Sequence, residues 1–329
     1  MALLPIGTNS GCELYCEAES LGLGDGTSVA SFTDQSGKSR HLTAASSRPT
    51  FETGEINGKA VVRWNGSANP LTNAASIAGV RCGWIVAKYA GATWAADYPG
   101  LLSTLSSYGV LVGLPTGGTA WFNLDSLATP AKVEARSNDR IYPASLMTGP
   151  MNAFKLIFFR YWGTRPTFDG VSLGQDRAFT ARKWNGDVAL LALYSRDFTE
   201  EEIRTYSKAV AANFALTLAD VYEYTADVGG HDENPEQPIN FYDPPEGDRI
   251  SEAFGDSKRI IDLKFSAANE TEIKYMKTFH AAHYPTATPF IYRDYRVTPP
   301  EDIEGYFDSQ YQLAGANNDN AYGFTFRER

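Results

Sequence analysis

Between residues 12 and 195 the chain is a succession of short apolar runs, each bounded by clusters of Gly, Asn, Asp and Ser. "AVVRWNG" (60–66), "GWIVAKYAG" (83–91), "GVLVGL" (109–114), "TAWFNL" (119–124), "FKLIFFRYW" (154–162) and "DVALLALYS" (187–195) are the clearest. Such runs are strand-length, and the turn residues between them give hairpin punctuation. They do not alternate with helices, so a parallel sheet is not expected; a sandwich or jelly roll is. Aromatic content is 13%, which suits the same architecture, because aromatic side chains pack well on pleated sheets.

One helix closes this region. Thr199 and Glu202 have capping-box spacing, and Phe198 and Ile203 are placed for a hydrophobic staple. Ile203, Tyr206, Val210 and Phe214 then recur at helical spacing, which predicts one apolar stripe laid on the sheets. Residues 218–256 differ in kind. Pro235, Pro238, Pro244 and Pro245 break the segment, and "VYEYT" and "INFYD" suggest that parts of it pair or pack. Beyond it, "RIIDLKF" (259–265), a helix capped by Asn269 and Glu272, "TPFIYRDYRV" (288–297) and "AYGFTFRE" (321–328) spell a small α+β domain. The expected fold is therefore mainly β. An antiparallel β-sandwich ending in a capped helix spans 1–217, an acidic Pro-rich linker or strap spans 218–256, and a small α+β domain spans 257–329. The strap is the expected site of proteolytic cleavage.

The net charge of −10 is localised. Residues 220–256 hold eleven Asp/Glu against the single Arg249, so the rest of the chain is near neutral. No basic stripe is present to neutralise phosphates, which argues against a nucleic-acid partner. No apolar stretch is long enough to span a membrane, and "MALLPIGTNSGC" does not read as a signal peptide. The three cysteines, Cys12, Cys16 and Cys82, form neither a disulfide framework nor a Cys-x-x-Cys metal motif. Alternation with Glu13, Tyr15 and Glu17 places Cys12 and Cys16 on one sheet face.

Several motifs invite chemistry. Gly170-x-Ser172-x-Gly174 has nucleophile-elbow spacing, but "QDRAFTARKWNG" after it has no helical period. Of the four His, three follow Ser172, all in the strap or beyond: His231, His280 and His283. The serine reads instead as part of a hairpin whose glycines supply positive φ. Glu13, Glu17 and Glu19 fall on one strand face, but a turn follows at once, and no other carboxylate pair has the spacing a glycosidase needs. Glu200, Glu201 and Glu202 suit a helix N-terminus. His280 and His283 lack a third ligand and read as surface or packing residues. "GLGDG" (22–26) lacks the strand and helix of a phosphate loop.

"CEAESLGLGDGTSVASFTDQSGKSRHLTAASSRPTFETGEINGKAVVRWNGSANPL" (16–71) resembles the opening of a laminin-G-like, concanavalin A-like jelly-roll domain. The elements that carry it are Asp25-Gly26, "VASFTDQSG", "RPTF" and "INGKAVVRWNG", with a Gly-Asp strand and capped helix at 184–216. In the resemblance Ser172 is a turn residue. The Gly-Asp strand departs from the pattern, since "GDVALLALY" has no acidic residue after the Asp. "RIIDLKFSAANETEIKYMKTFHAAHYPTATPFIYRDYR" is similar to small domains of bacteriophage minor tail proteins, through its "PF-x-[YFW]-x-D" strand at 289–294.

Together these resemblances imply a phage tail protein located in the virion and assembled in the host cytoplasm. Residues 218–329 would contact other virion proteins, and the chain would be a homo-oligomer in the particle. The jelly roll would face outward toward bacterial surface polysaccharide, with neither nucleic-acid binding nor membrane insertion. Sugars are held by stacking on aromatic faces beside Asp or Asn acceptors. Trp94, Asp97, Tyr98, Trp121, Asn123 and Trp162 are the candidates, with core packing as the competing role for most. Asp25 and Asp34 are candidate calcium ligands, with Asx-turn bonding as the competing role, and no other cofactor is expected. No catalytic residue is assigned. The alternatives are a jelly-roll glycan hydrolase or depolymerase, and a purely structural decoration protein.

Overall fold

The computed structural model describes residues 10–91, 93, 98–107, 109–113, 132–138, 140–142, 152–162, 166–219, 231–236, 239–242, 250–253, 258–265, 280, 290–294, 301–307, 312–314 and 321–328. The chain divides into two compact units, Met1–Leu218 and Ala219–Arg329. Both are antiparallel and mainly β.

The first unit runs β1 (Cys12–Glu17), β2 (Thr27–Ser28), β3 (Ser31–Phe32), β4 (Leu42–Thr43), β5 (Thr50–Ile56), β6 (Lys59–Asn65), β7 (Leu71–Asn73) and β8 (Cys82–Tyr89). It continues with β9 (Gly100–Ser103), β10 (Gly109–Val112), β11 (Lys132–Ser137), β12 (Arg140–Tyr142), β13 (Lys155–Trp162), β14 (Val171–Leu173), β15 (Asn185–Tyr194) and α1 (Glu200–Phe214). The larger sheet has the order β12-β11-β13-β8-β15-β6-β5-β2, with β1 added on β15. The smaller has the order β10-β9-β14-β7-β4-β3.

The two sheets stack as a sandwich, and α1 covers the outer face of the larger sheet. The division is visible along β13. Ile157, Phe159 and Tyr161 join the inter-sheet core with Leu71, Leu102, Leu111 and Leu173 of the smaller sheet. Leu156 and Phe158 point the other way and pack with Ile203, Val210 and Phe214 of the helix. Strands buried on both faces need apolar residues at every position, which is why β13 and β15 read as near-continuous apolar runs. Trp84 on β8 anchors the helix layer. Its ring lies 4.7 Å from Phe158 and 5.0 Å from Phe198, and its Nε1 donates to Ser207 Oγ at 3.3 Å.

The helix forms as its sequence predicts. Glu202 N donates to Thr199 Oγ1 at 3.2 Å, Thr199 N donates to Glu202 Oε2 at 2.9 Å, and both staple residues are buried in one cluster. The placement of Cys12 and Cys16 on one face is overturned. The β1–β15 register shifts between Cys12 and Leu14, and that bulge reverses the alternation. Cys12 therefore faces the helix layer and Cys16 the inter-sheet core. Glu19 is likewise not on a strand: β1 ends at Glu17, and Ala18–Leu21 form a 3-10 turn.

In the second unit, β16 (His231–Glu236), β17 (Ile239–Tyr242), β18 (Ile250–Ala253), β19 (Lys258–Phe265), β20 (Phe290–Asp294), β21 (Glu301–Phe307), β22 (Gln312–Ala314) and β23 (Ala321–Glu328) are formed. The main sheet has the order β16-β19-β23-β21-β20, with β22 on β23, and β17 pairs with β18. Part of the acidic segment is thus ordered as strands. β16 contains Pro235 and three carboxylates and, among the described residues, pairs with β19 alone, which suits proline and charge on an edge strand. The helix expected after Asn269 lies outside the described residues apart from His280, which is helical and buried. His283 lies outside them.

Candidate functional site

Ser172 sits in strand β14, not in a turn, and this corrects its expected placement. It pairs with Thr72 on one side and Ser103 on the other. Its side chain is buried, and Oγ donates to the Gln175 carbonyl at 3.1 Å. No helix follows, since the chain runs into β15. Gly174 has φ +94°, and a Cβ there would lie 2.3 Å from Trp64 Nε1. The Gly-x-Ser-x-Gly spacing therefore reflects strand ends packed tightly against neighbours.

The remaining candidates are engaged separately. Asp34 is buried and accepts four hydrogen bonds: Oδ1 from Tyr15 N at 3.0 Å and Ser36 N at 2.9 Å, Oδ2 from Ser36 Oγ at 2.9 Å and Arg40 N at 2.8 Å. These close the loop onto β1. Asp25 Oδ1 accepts from Thr53 N and Oγ1 at 2.7 and 3.0 Å, and those bonds hold its carboxyl below the usual range. Among the described residues no group of three His, Cys, Asp or Glu converges as a metal site. Glu13 pairs with Arg40 at 2.5 Å, Glu17 accepts from Tyr15 OH at 2.9 Å, and Glu19 accepts from Ala60 N at 2.8 Å. All three cysteines are free thiols, and burial pushes Cys12 up to about 11 and raises Cys16 and Cys82 as well. Neutral buried thiols are poor nucleophiles and ligands.

A different group forms a surface feature. The loop from Gly174 to Trp184 folds back on itself, with Gln175 bridged to Lys183, Phe179 N bonded to Asp176 O at 3.0 Å, and Arg182 N bonded to Phe179 O at 2.9 Å. It is seated on β9: Arg177 N donates to Ser103 Oγ at 2.8 Å, and Ser103 Oγ donates to Gln175 O at 2.9 Å. Gly100 permits this approach, because a Cβ there would lie 2.0 Å from Asp176 N. The result buries the Asp176 carboxylate under two arginines. Oδ1 accepts from Arg177 Nε at 2.9 Å, and Oδ2 accepts from Arg177 Nη2 at 3.0 Å and Arg182 Nη1 at 2.7 Å.

The arginines in turn hold aromatic rings. The Arg182 guanidinium carbon lies 4.3 Å from the Phe179 ring centroid and 4.8 Å from that of Tyr98, and Arg177 lies 4.9 Å from Phe179. Each such contact contributes about 0.5–1 kcal/mol at an exposed site. Phe179 is 47% exposed and is the one exposed large hydrophobic among the described residues. Tyr98 and Arg177 both hold positive φ, 54° and 50°, uncommon for bulky side chains. Such strain concentrates where a particular presentation is required.

Of the predicted glycan residues, the structure places Tyr98 in this platform. Trp94, Asp97, Trp121 and Asn123 lie outside the described residues. Trp162 ends β13 opposite Lys132, with its side chain outside them. Phe179, Arg182, Arg177 and Asp176 were not predicted. The available signal was "QDRAFTARK", an aromatic between two arginines in a segment with neither strand nor helix period. No family model, no curated protein and no solved structure matches the chain.

Proposed function

We propose that the chain is a non-enzymatic adhesion protein of a bacteriophage tail. In this reading the first unit is a laminin-G-like domain facing bacterial surface glycans, and the second attaches it to the particle. The observation that carries the binding role is the exposed Phe179 ring, held in place by two arginines locked on a buried carboxylate. A ring fixed before binding loses little conformational freedom when a sugar stacks on it. The buried apolar residues between the sheets and the buried Ser172 favour contact over bond cleavage. The attachment role rests on the likeness of residues 259–296 to tail-protein domains, with β19 and β20 formed where that likeness falls.

The test is binding of the full chain to fractionated bacterial envelope polysaccharides, with Phe179→Ala as the comparison. Binding by the native chain, reduced about tenfold by the variant as for loss of one aromatic anchor, is expected, and undiminished binding by the variant would refute the assignment. Localisation of the chain in purified particles by antibody-labelled electron microscopy checks the virion role, and absence of label would contradict it.

A further inference from the structure

Charge at the platform goes beyond aromatic stacking and, resting on the adhesion reading above, narrows its ligand. Two guanidinium groups share one carboxylate, so the cluster carries one net positive charge. The Asp176 side chain is fully buried, whereas those of Arg182 and Arg177 are 30% and 23% exposed. Arg177 spends Nε and Nη2 on Asp176, and Arg182 spends only Nη1. Arg182 Nε and Nη2 and Arg177 Nη1 have no acceptor among the described residues. The Arg182 guanidinium carbon lies 4.3 Å from the Phe179 ring centroid and 4.8 Å from that of Tyr98, so its uncommitted donors sit within the same surface patch as both rings. The acidic excess of the chain lies in residues 220–256 and not in this unit's loop.

We infer that the platform recognises a carboxylate-bearing polysaccharide, a polymer of uronic-acid sugars. The sugar ring stacks on Phe179, and its carboxylate accepts the parallel Nε–H and Nη2–H of Arg182. A guanidinium edge matches the two oxygens of a carboxylate in one plane, and such paired, charge-assisted bonds are stronger than neutral ones. A neutral sugar would take the stacking and leave the arginine edge hydrated.

The experiment is titration calorimetry of the full chain with three oligosaccharides of equal length: a polyuronate, neutral dextran and sulfated dextran. Affinity for the polyuronate about tenfold above that for dextran, the size of one charge-assisted contact, is expected. Phe179→Ala should weaken both polyuronate and dextran. Arg182→Lys, which keeps a cation for Asp176 but loses the planar fork, should remove the preference. Each variant is compared with the native chain at matched thermal stability. Equal affinity for polyuronate and dextran overturns the inference and leaves the adhesion reading standing. Sulfated dextran bound as tightly as the polyuronate also overturns it, because charge alone would then suffice. Absence of binding by any of the three, with envelope polysaccharide still bound, overturns the ligand class alone. Absence of binding to envelope polysaccharide as well overturns both.

Discussion

Among the described residues of the first unit, one carboxylate holds two arginines at two places, and these are built inside out relative to each other. At the start of α1, Glu200 Oε2 pairs with Arg136 Nη2 at 2.6 Å and Oε1 with Arg160 Nη2 at 2.6 Å. There the arginine side chains are 0% and 5% exposed and the glutamate 28%. At the platform the acid is buried and the arginines are partly exposed. In the first case the cations rise from β11 and β13 to hold the helix N-terminus against the sheet. In the second the buried anion holds the cations at the surface. The same charges thus serve packing or presentation, according to which partner is removed from water. A buried ion pair contributes little net stability, but removing one member leaves an uncompensated charge.

The largest effect should come from Glu200→Ala, which takes the shared carboxylate from two buried guanidinium groups. A loss of about 3 kcal/mol in denaturant unfolding is expected. The same carboxyl gives a pH signature. Burial alone would raise it, but Arg136 and Arg160 override burial and hold it at about 2. A carboxyl depressed in the folded state stabilises above its unfolded range, near 4.5, and that contribution fades as pH falls toward about 2. Glu200→Gln should flatten the stability profile across that window, and an unchanged slope would mean that the pairs contribute nothing.

At the platform, Asp176→Asn should cost about 2 kcal/mol, because both arginines lose their charged anchor. Unlike Glu200→Ala, it should also abolish glycan binding in the calorimeter. The helix's other end supplies a smaller change. Ala215 holds φ 52°, a left-handed cap where glycine is at ease, so Ala215→Gly should raise stability by about 1 kcal/mol in thermal unfolding. Phe179→Ala is of the same size, with about 1 kcal/mol of stability lost as two cation–π contacts go while binding falls. A large stability loss there would move the platform into the packing class.

The long strands were legible because burial on both faces forces unbroken apolar runs, as in β8, β13 and β15. The helix was legible from Thr199 and Glu202, whose bonds are local in sequence. What failed depended on contacts distant in sequence. The Cys12–Leu14 bulge is set by the partner strand β15, so simple alternation assigned Cys12 to the wrong face. β2, β3 and β4 have two residues each and leave no periodic trace. Tyr98 was selected as an aromatic in a loop, but its neighbours Phe179 and Arg182 are brought to it by the seating of one loop on Gly100. Nothing local to either segment announces that meeting.

Hydrogen–deuterium exchange of the full chain, with and without bacterial envelope polysaccharide, tests the contact surface most directly. Slowed exchange in residues 174–184 and around Tyr98, with the sheets unchanged, is the predicted result. Slowed exchange confined to other parts of the chain, with 174–184 exchanging as in the free protein, would contradict it.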